Sequence, residues 1–231
     1  MTSELKYHYK YPHPAVTTDC VIFGFDGSDI NVLLIRRGLD PFKGCWALPG
    51  GFLRMDESAS ECAKRELKEE TGLDTAFMRQ LHTFSTPGRD PRERVISIAY
   101  YAIVRLSEVC GGDDASDAQW FALSDIPNLA FDHNDILTMA IDRLRRSIHF
   151  EPIGFELLPQ SFTIKQLQTL YESILGVKFD RRNFYKKMIH LGLLTQVEQP
   201  PKPHSRKVAY LFQFNHDRYN ELKNNGFKLE F

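Results

Sequence analysis

With 231 residues, 42% of them hydrophobic and 26% charged, the chain has enough apolar material for one large core or two smaller ones, which excludes disorder over most of its length. No apolar run approaches the ~20 residues of a membrane span, and the polar start MTSELKYHYKYPHPAVTTD lacks a secretory apolar segment, so a cytoplasmic protein with no membrane partner is expected. The net charge of −1 hides an asymmetry: residues 151–231 carry 12 basic and 8 acidic side chains, a net of +4, which leaves −5 on the first 150. A sign change of this kind suggests two modules, 1–150 and 151–231, that face different partners.

Taken in chain order, TTDCVIFGF and INVLLIRRG are β-branched, apolar runs around the turn-like DGSD and predict a hairpin. LDPFKGCWALPGGF is rich in Gly and Pro and reads as a loop. A helix follows, with Asp56 or Ser58 able to cap its start and Gly72 fitting just past its end. VISIAYYAIVRL predicts a buried strand and AQWFAL another. NDILTMAIDRLRRS has helical periodicity, with Ile136, Met139, Ala140, Ile141 and Leu144 toward a core. The proline-bearing HFEPIGFELLP then leads into a second region. There SFTIKQLQTLYESILG predicts a helix with Ile164, Leu167, Leu170, Tyr171 and Ile174 on one face. DRRNFYKKMIHLG predicts a further helix, and TQVEQ and VAYLFQFN predict a hairpin around PPKPHSRK. Helix, helix and a two-stranded wing make a winged-helix arrangement. Cys20, Cys45, Cys62 and Cys110 show neither paired nor metal-ligand spacing, as expected of reduced thiols.

The predicted first helix carries Glu66, Glu69 and Glu70 at i, i+3 and i+4, so all three project from one face. Ala63 and Leu67, on another face, suit a core. Clustered carboxylates repel unless a cation sits among them, and hard oxygen donors suit Mg²⁺ or Mn²⁺. Gly51, five residues, Glu57, seven residues, Arg65-Glu66-Leu67, one residue, Glu69-Glu70, one residue, Gly72-Leu73 resembles the Nudix box at every fixed position. The resemblance implies an α/β/α sandwich with a mixed sheet. It implies that the Gly51 carbonyl and Glu66, Glu69 and Glu70 ligate the metal, with Arg65 also in the catalytic set. Arg65 and Glu57 would be the pair that fixes helix against loop. The implied reaction is hydrolysis of a nucleoside diphosphate linked to a further moiety, with Glu66 or Glu69 orienting the water. In the LPGG loop, glycine permits close backbone approach to a phosphate-bound metal, and Gly50 is counted among the candidate substrate-binding residues.

Arg36 and Arg37 end a strand and suit either phosphate contact or solvent. Phe42 and Trp46 suit either a base stack or the core. STPGRDPRERVISIAYYA resembles the loop and strand of Nudix proteins that act on ADP-ribose or related fragments. Arg89, Asp90, Arg92 and Glu93 lie there, and arginine grips a diphosphate bidentately, so Arg37, Arg89 and Arg92 are candidate ligand residues. His133, in AFDHND, is left outside the site.

In the second region, Phe184, Met188 and Leu191 share one face of the helix DRRNFYKKMIHLG, and Arg182, Lys186 and Ile189 point away. Arg181, Asn183 and Lys187 flank them, and Arg206 and Lys207 mark the wing. A basic helix beside a basic wing matches a recognition helix for double-stranded DNA. The whole chain is similar to the Nudix-related transcriptional regulators, a resemblance that implies a homodimer releasing DNA when a ligand binds the Nudix domain. Their catalytic boxes are often eroded, whereas this one is intact. The expected function is a Nudix pyrophosphohydrolase fused to a ligand-responsive DNA-binding domain. The alternative is a non-catalytic sensor of a metabolite or sugar.

Overall fold

The computed structural model describes residues 9–74, 78–106, 109, 115–149, 151–197 and 210–224. β1 (Ala15–Phe25) and β2 (Ile30–Arg37) form the expected antiparallel hairpin, with Phe23 opposite Val32. Its turn is tied by the Asp26 carboxylate, which accepts the Ser28 and Asp29 amides and is held down at about 2 by hydrogen bonds that outweigh partial burial.

β1 is central to a seven-stranded sheet. It runs parallel to β6 (Val95–Arg105) along its whole length and antiparallel to β2 and to β4 (Gly50–Phe52). β3 (Trp46–Ala47) and β7 (Ala115–Ala122) pair with β2, and β5 (Arg79–Phe84) pairs with β6. Alternate side chains of β1 feed two cores, which is why its sequence is apolar almost without a break. Cys20 and Ile22 meet Ala63 and Leu67 of α1 (Ala59–Thr71), while Val21 and Phe23 join Ile136, Ala140 and Leu144 of α2 (His133–Ser147). The first part of the chain is thus the expected α/β/α sandwich on a mixed sheet.

Two expectations are corrected, and one open alternative is decided. The Gly/Pro-rich stretch expected to be a loop contains β3 and β4, and β5 is an element the sequence pattern does not signal. Ser58, not Asp56, caps α1, in a reciprocal capping box with Glu61. In α2, Met139 is 37% exposed, and Leu137 takes its place because the buried stripe runs through 136, 137, 140 and 144.

A single 3₁₀ turn (Ile153–Leu157) leads to α3 (Ile164–Leu175), α4 (Arg181–His190), β8 (Leu194–Val197), β9 (Leu211–Phe214) and α5 (His216–Asn224). All five predicted core residues of α3 are buried. Thr163 and Gln166 box its start, and Gly176 ends it in the left-handed conformation that glycine adopts without penalty. β8 and β9 pair antiparallel, and their connection lies outside the described residues. Helix, helix and wing are present, and α5 is an addition.

The apolar core runs on from the sheet through Leu144 and Ile148 to Leu158, Phe162, Tyr171, Phe184 and Phe212. Polar links cross the same boundary. The Ile30 amide donates to Ser173 Oγ (2.7 Å), Arg145 Nε donates to the Ile174 carbonyl (3.1 Å), and Arg79 pairs with Glu151. Among the described residues no helix is long and apolar enough to cross a membrane.

Candidate functional site

The β1–β4 pairing sets Gly50 opposite Asp19 and Gly51 opposite Thr18. Both positions exclude a side chain: a Cβ on Gly50 would lie 2.0 Å from the Thr18 carbonyl, and one on Gly51 would lie 2.4 Å from the Glu66 carboxylate. That contact fixes the intimacy between the glycine loop and α1.

Glu70 is buried, and its Oε2 accepts the Gly50 amide (2.7 Å). Burial nevertheless pushes its carboxyl up to about 8, and burial also raises Glu66. Arg65 ties the cluster together. Its Nη1 donates to Glu66 (2.6 Å) and Glu69 (2.9 Å), while Nε and Nη2 hold Glu57 (2.9 and 2.6 Å) and Nη2 reaches the Phe52 carbonyl (3.2 Å). The Arg65 bond holds Glu57 down at about 2. Arg65 and Glu57 therefore clamp α1 to the loop.

Among the described residues, no three His, Cys, Asp or Glu side chains stand gathered closely enough to hold an ion, and Arg65 Nη1 lies between Glu66 and Glu69. The donor chemistry still fits a divalent cation. Glu66 and Glu70 are carboxylates whose charge burial opposes, beside a glycine loop that faces the same cavity. A cation there would offset that cost, and it requires Glu66 and Glu69 to turn from Arg65.

These groups line a cavity of about 790 Å³ that also presents Arg37, Arg89, Arg92, Phe131 and His133. Sequence reasoning missed what lies behind this wall. Arg89 is buried and donates Nε and Nη2 to the two oxygens of Asp132 (2.8 and 2.6 Å), with Nη2 also 3.2 Å from Asp19. Asp19 accepts from Ser97 as well, and its Oδ1 stands 3.5 Å from His133 Nε2. His133 Nδ1 accepts the Leu48 amide (2.9 Å), and burial pushes its pKa down, so the ring is neutral with its proton on Nε2 toward Asp19. His133, left out on sequence grounds, thus holds the start of the LPGG loop. Asp19 had one available signal, a charge inside an apolar strand, which demands a buried partner.

Arg92 pairs with Asp90 (2.7 Å), and Arg37 Nε donates to the Pro41 carbonyl (2.9 Å). Trp46 packs edge-on against Phe121 in the core (4.8 Å), whereas Phe42 is 41% exposed and meets Phe131.

On α4, Phe184 and Met188 are buried against the core, and Arg181, Arg182, Asn183, Lys186 and Lys187 are exposed. Tyr185 and Ile189, neither among the candidates, are exposed beside them. Lys178, part of the same basic stretch, pairs with Glu172 (3.0 Å). Arg206 and Lys207 lie outside the described residues.

Family comparisons match each half. The NUDIX domain model covers residues 13–140, and the NrtR DNA-binding winged helix domain model covers residues 154–214. The chain belongs to the NrtR-type Nudix proteins. One relative, the ADPR responsive transcriptional repressor NtrR of Acinetobacter baylyi, is 34% identical over 209 residues, spanning 88% of this chain and 83% of its own. The ADP-ribose pyrophosphatase of Methanocaldococcus jannaschii is 46% identical over 134 residues, 58% of this chain and 77% of its own. The crystal structure of Shewanella oneidensis NrtR superposes with a TM-score of 0.72 at 28% identity, covering 88% of this chain and 95% of that one. The Shewanella protein has also been crystallised with a 27mer DNA, and its NUDIX domain with ADP ribose.

Proposed function

We propose that this NrtR-type protein is a homodimeric, DNA-binding transcriptional regulator whose Nudix cavity takes ADP-ribose and, with Mg²⁺ or Mn²⁺, hydrolyses its diphosphate bond. The two modules meet near residue 150. The observation that carries the reading is the complete set of Glu66, Glu69 and Glu70 beside the Gly50–Gly51 loop, with Glu66 and Glu69 bridged by Arg65 and Glu70 accepting the Gly50 amide, on the same chain as the basic α4. Support also comes from the relatives: one is named for its response to ADPR, another for cleaving ADP-ribose, and a third was crystallised with DNA and, as its NUDIX domain, with ADP ribose.

In this reading the Gly51 carbonyl and the three glutamates hold the divalent ions, which when bound offset diphosphate charge and lower the pKa of the attacking water. The chain's own residues do the rest. Arg37 and Arg92 grip the diphosphate from the cavity wall, and Arg89, the third candidate for ligand contact, is held behind them by Asp132 and Asp19. The Gly50 amide, by donating to Glu70, keeps one oxygen of that carboxylate aimed at the loop. The His133–Asp19 pair keeps the loop's entry in place. On α4, Arg181, Arg182, Asn183, Lys186 and Lys187 contact DNA, with Arg206 and Lys207 reaching it from the wing.

The test is turnover of ADP-ribose with Mg²⁺. Glu69→Gln and Glu70→Gln should each lower the rate by about 100-fold or more. Unchanged turnover in both variants sinks the hydrolytic reading. ADP-ribose that binds without being cleaved reduces the site to a sensor.

A further inference from the structure

Among the described residues, two non-glycine positions have a positive φ, Phe42 (64°) and Phe131 (55°). For a bulky side chain this left-handed conformation is unfavourable and persists only where the surroundings impose it. Here they do. The Ala130 amide donates to the Trp46 carbonyl (2.8 Å), and the His133 amide donates back to Ala130 (3.2 Å). Asp132, the next residue, grips Arg89. Phe42 meets the Phe131 ring edge-on at 4.8 Å and buttresses it.

The result is a ring set into the cavity wall between two cations from distant parts of the chain. The Arg37 guanidinium lies 4.8 Å from the centre of the Phe131 ring, and the Arg92 guanidinium lies 5.7 Å from it. Arg92 also lies 5.2 Å from the Phe52 ring. Other edges of both guanidiniums are held, Arg37 by the Pro41 carbonyl and Arg92 by Asp90. Like charges converging on one wall repel; Asp90 offsets part of the Arg92 charge, and the negative face of the aromatic ring relieves the repulsion that remains. A carboxylate in the same place would relieve it too, but it would compete with an anionic ligand.

We propose that Phe131 is a positioning residue: its strained backbone presents an aromatic platform that aims Arg37 and Arg92 together at the diphosphate of the ligand. This rests on the reading that the cavity takes a nucleoside diphosphate. Phe131 acts through the arginines, so its effect exists only while they do.

The experiment is calorimetric titration of the full chain with the non-hydrolysable α,β-methylene analogue of ADP-ribose in Mg²⁺. It compares wild type, Phe131→Leu, Phe131→Tyr, Arg37→Ala with Arg92→Ala, and the triple variant. Phe131→Leu, similar in bulk but without ring faces, should weaken binding about tenfold, and Phe131→Tyr should restore it. In the background lacking both arginines, Phe131→Leu should change affinity by less than about twofold, because coupled residues are not additive. Phe131→Asn, which tolerates the left-handed backbone, should raise Tm and still bind weakly, and it replaces the leucine variant should that one fold poorly. Wild-type affinity in Phe131→Leu or Phe131→Asn, or an equal loss with and without the arginines, overturns the proposal. A wild-type chain that binds no analogue overturns the ligand reading as well.

Discussion

Glu70 concentrates the electrostatic tension of the cavity. Its carboxyl titrates at about 8 in the folded chain against 4.5 for an unperturbed glutamate, because burial opposes the charge more than the Gly50 amide supports it. The folded state therefore binds this proton more tightly than the unfolded state. Between about pH 4.5 and about pH 8 the contribution of Glu70 to the stability of metal-free protein falls as pH rises. Glu70→Gln keeps an acceptor for the Gly50 amide and removes the charge. Denaturant titration in EDTA should find it more stable than wild type by on the order of 2 kcal/mol at about pH 8.5 and equal to it at about pH 5. A pH-independent difference would place the effect outside this titration. Gly51→Ala acts at the same scale. Its Cβ would stand 2.4 Å from Glu66, so the loop or the carboxylate must move. Turnover of ADP-ribose should fall by about 100-fold or more with the fold intact by circular dichroism, and normal turnover would show that the close approach is dispensable.

Helix α1 shows why part of the site is legible in the sequence. Its acidic face, its Arg65 clamp and its buried Ala63–Leu67 face all lie within one short segment, where helical spacing alone sets which residues meet. Leu67→Ala should destabilise the chain by roughly 2–5 kcal/mol, since Leu67 is fully buried against β1 and β2, and an unchanged denaturation midpoint would contradict that packing. The elements that sequence reasoning missed lack such local order. β3 and β4 are two and three residues long and sit among Gly and Pro, whose own preferences point to a loop. β5 turns a single residue, Leu81, fully into the core, so RQLHTF carries no alternation to read. The Asp19–Arg89–Asp132–His133 cluster draws on β1, a loop and the start of α2, and no spacing along the chain connects them.

At the scale of the whole molecule, the sheet and the winged helix share one apolar core and are stitched by Ile30 to Ser173, Arg145 to Ile174 and Arg79 to Glu151. Ile30 begins β2, whose far end carries Arg37 into the cavity. α3, which carries Ser173, packs on α4. A ligand that shifts β2 thus has a mechanical route to α4, the proposed DNA-facing helix, and any coupling between the two ends is reciprocal. Ser173→Ala should leave DNA affinity nearly unchanged while reducing the fold-release caused by ADP-ribose, as read by fluorescence anisotropy. Equal release in variant and wild type would exclude this link. For the proposed DNA surface, Arg182→Ala with Lys186→Ala should weaken binding across sequences and lower the slope of log affinity against log salt by about 2.

In the proposed function, the cavity governs the chain's grip on DNA. The most direct measurement is anisotropy of a labelled duplex from the region upstream of the chain's own gene, titrated with ADP-ribose in Mg²⁺. Full-length protein should bind the duplex at low salt and release it as ADP-ribose rises, while the Arg37→Ala, Arg92→Ala variant holds on. DNA binding indifferent to ADP-ribose at saturating concentration, or release that survives loss of both arginines, would contradict the link between cavity and helix.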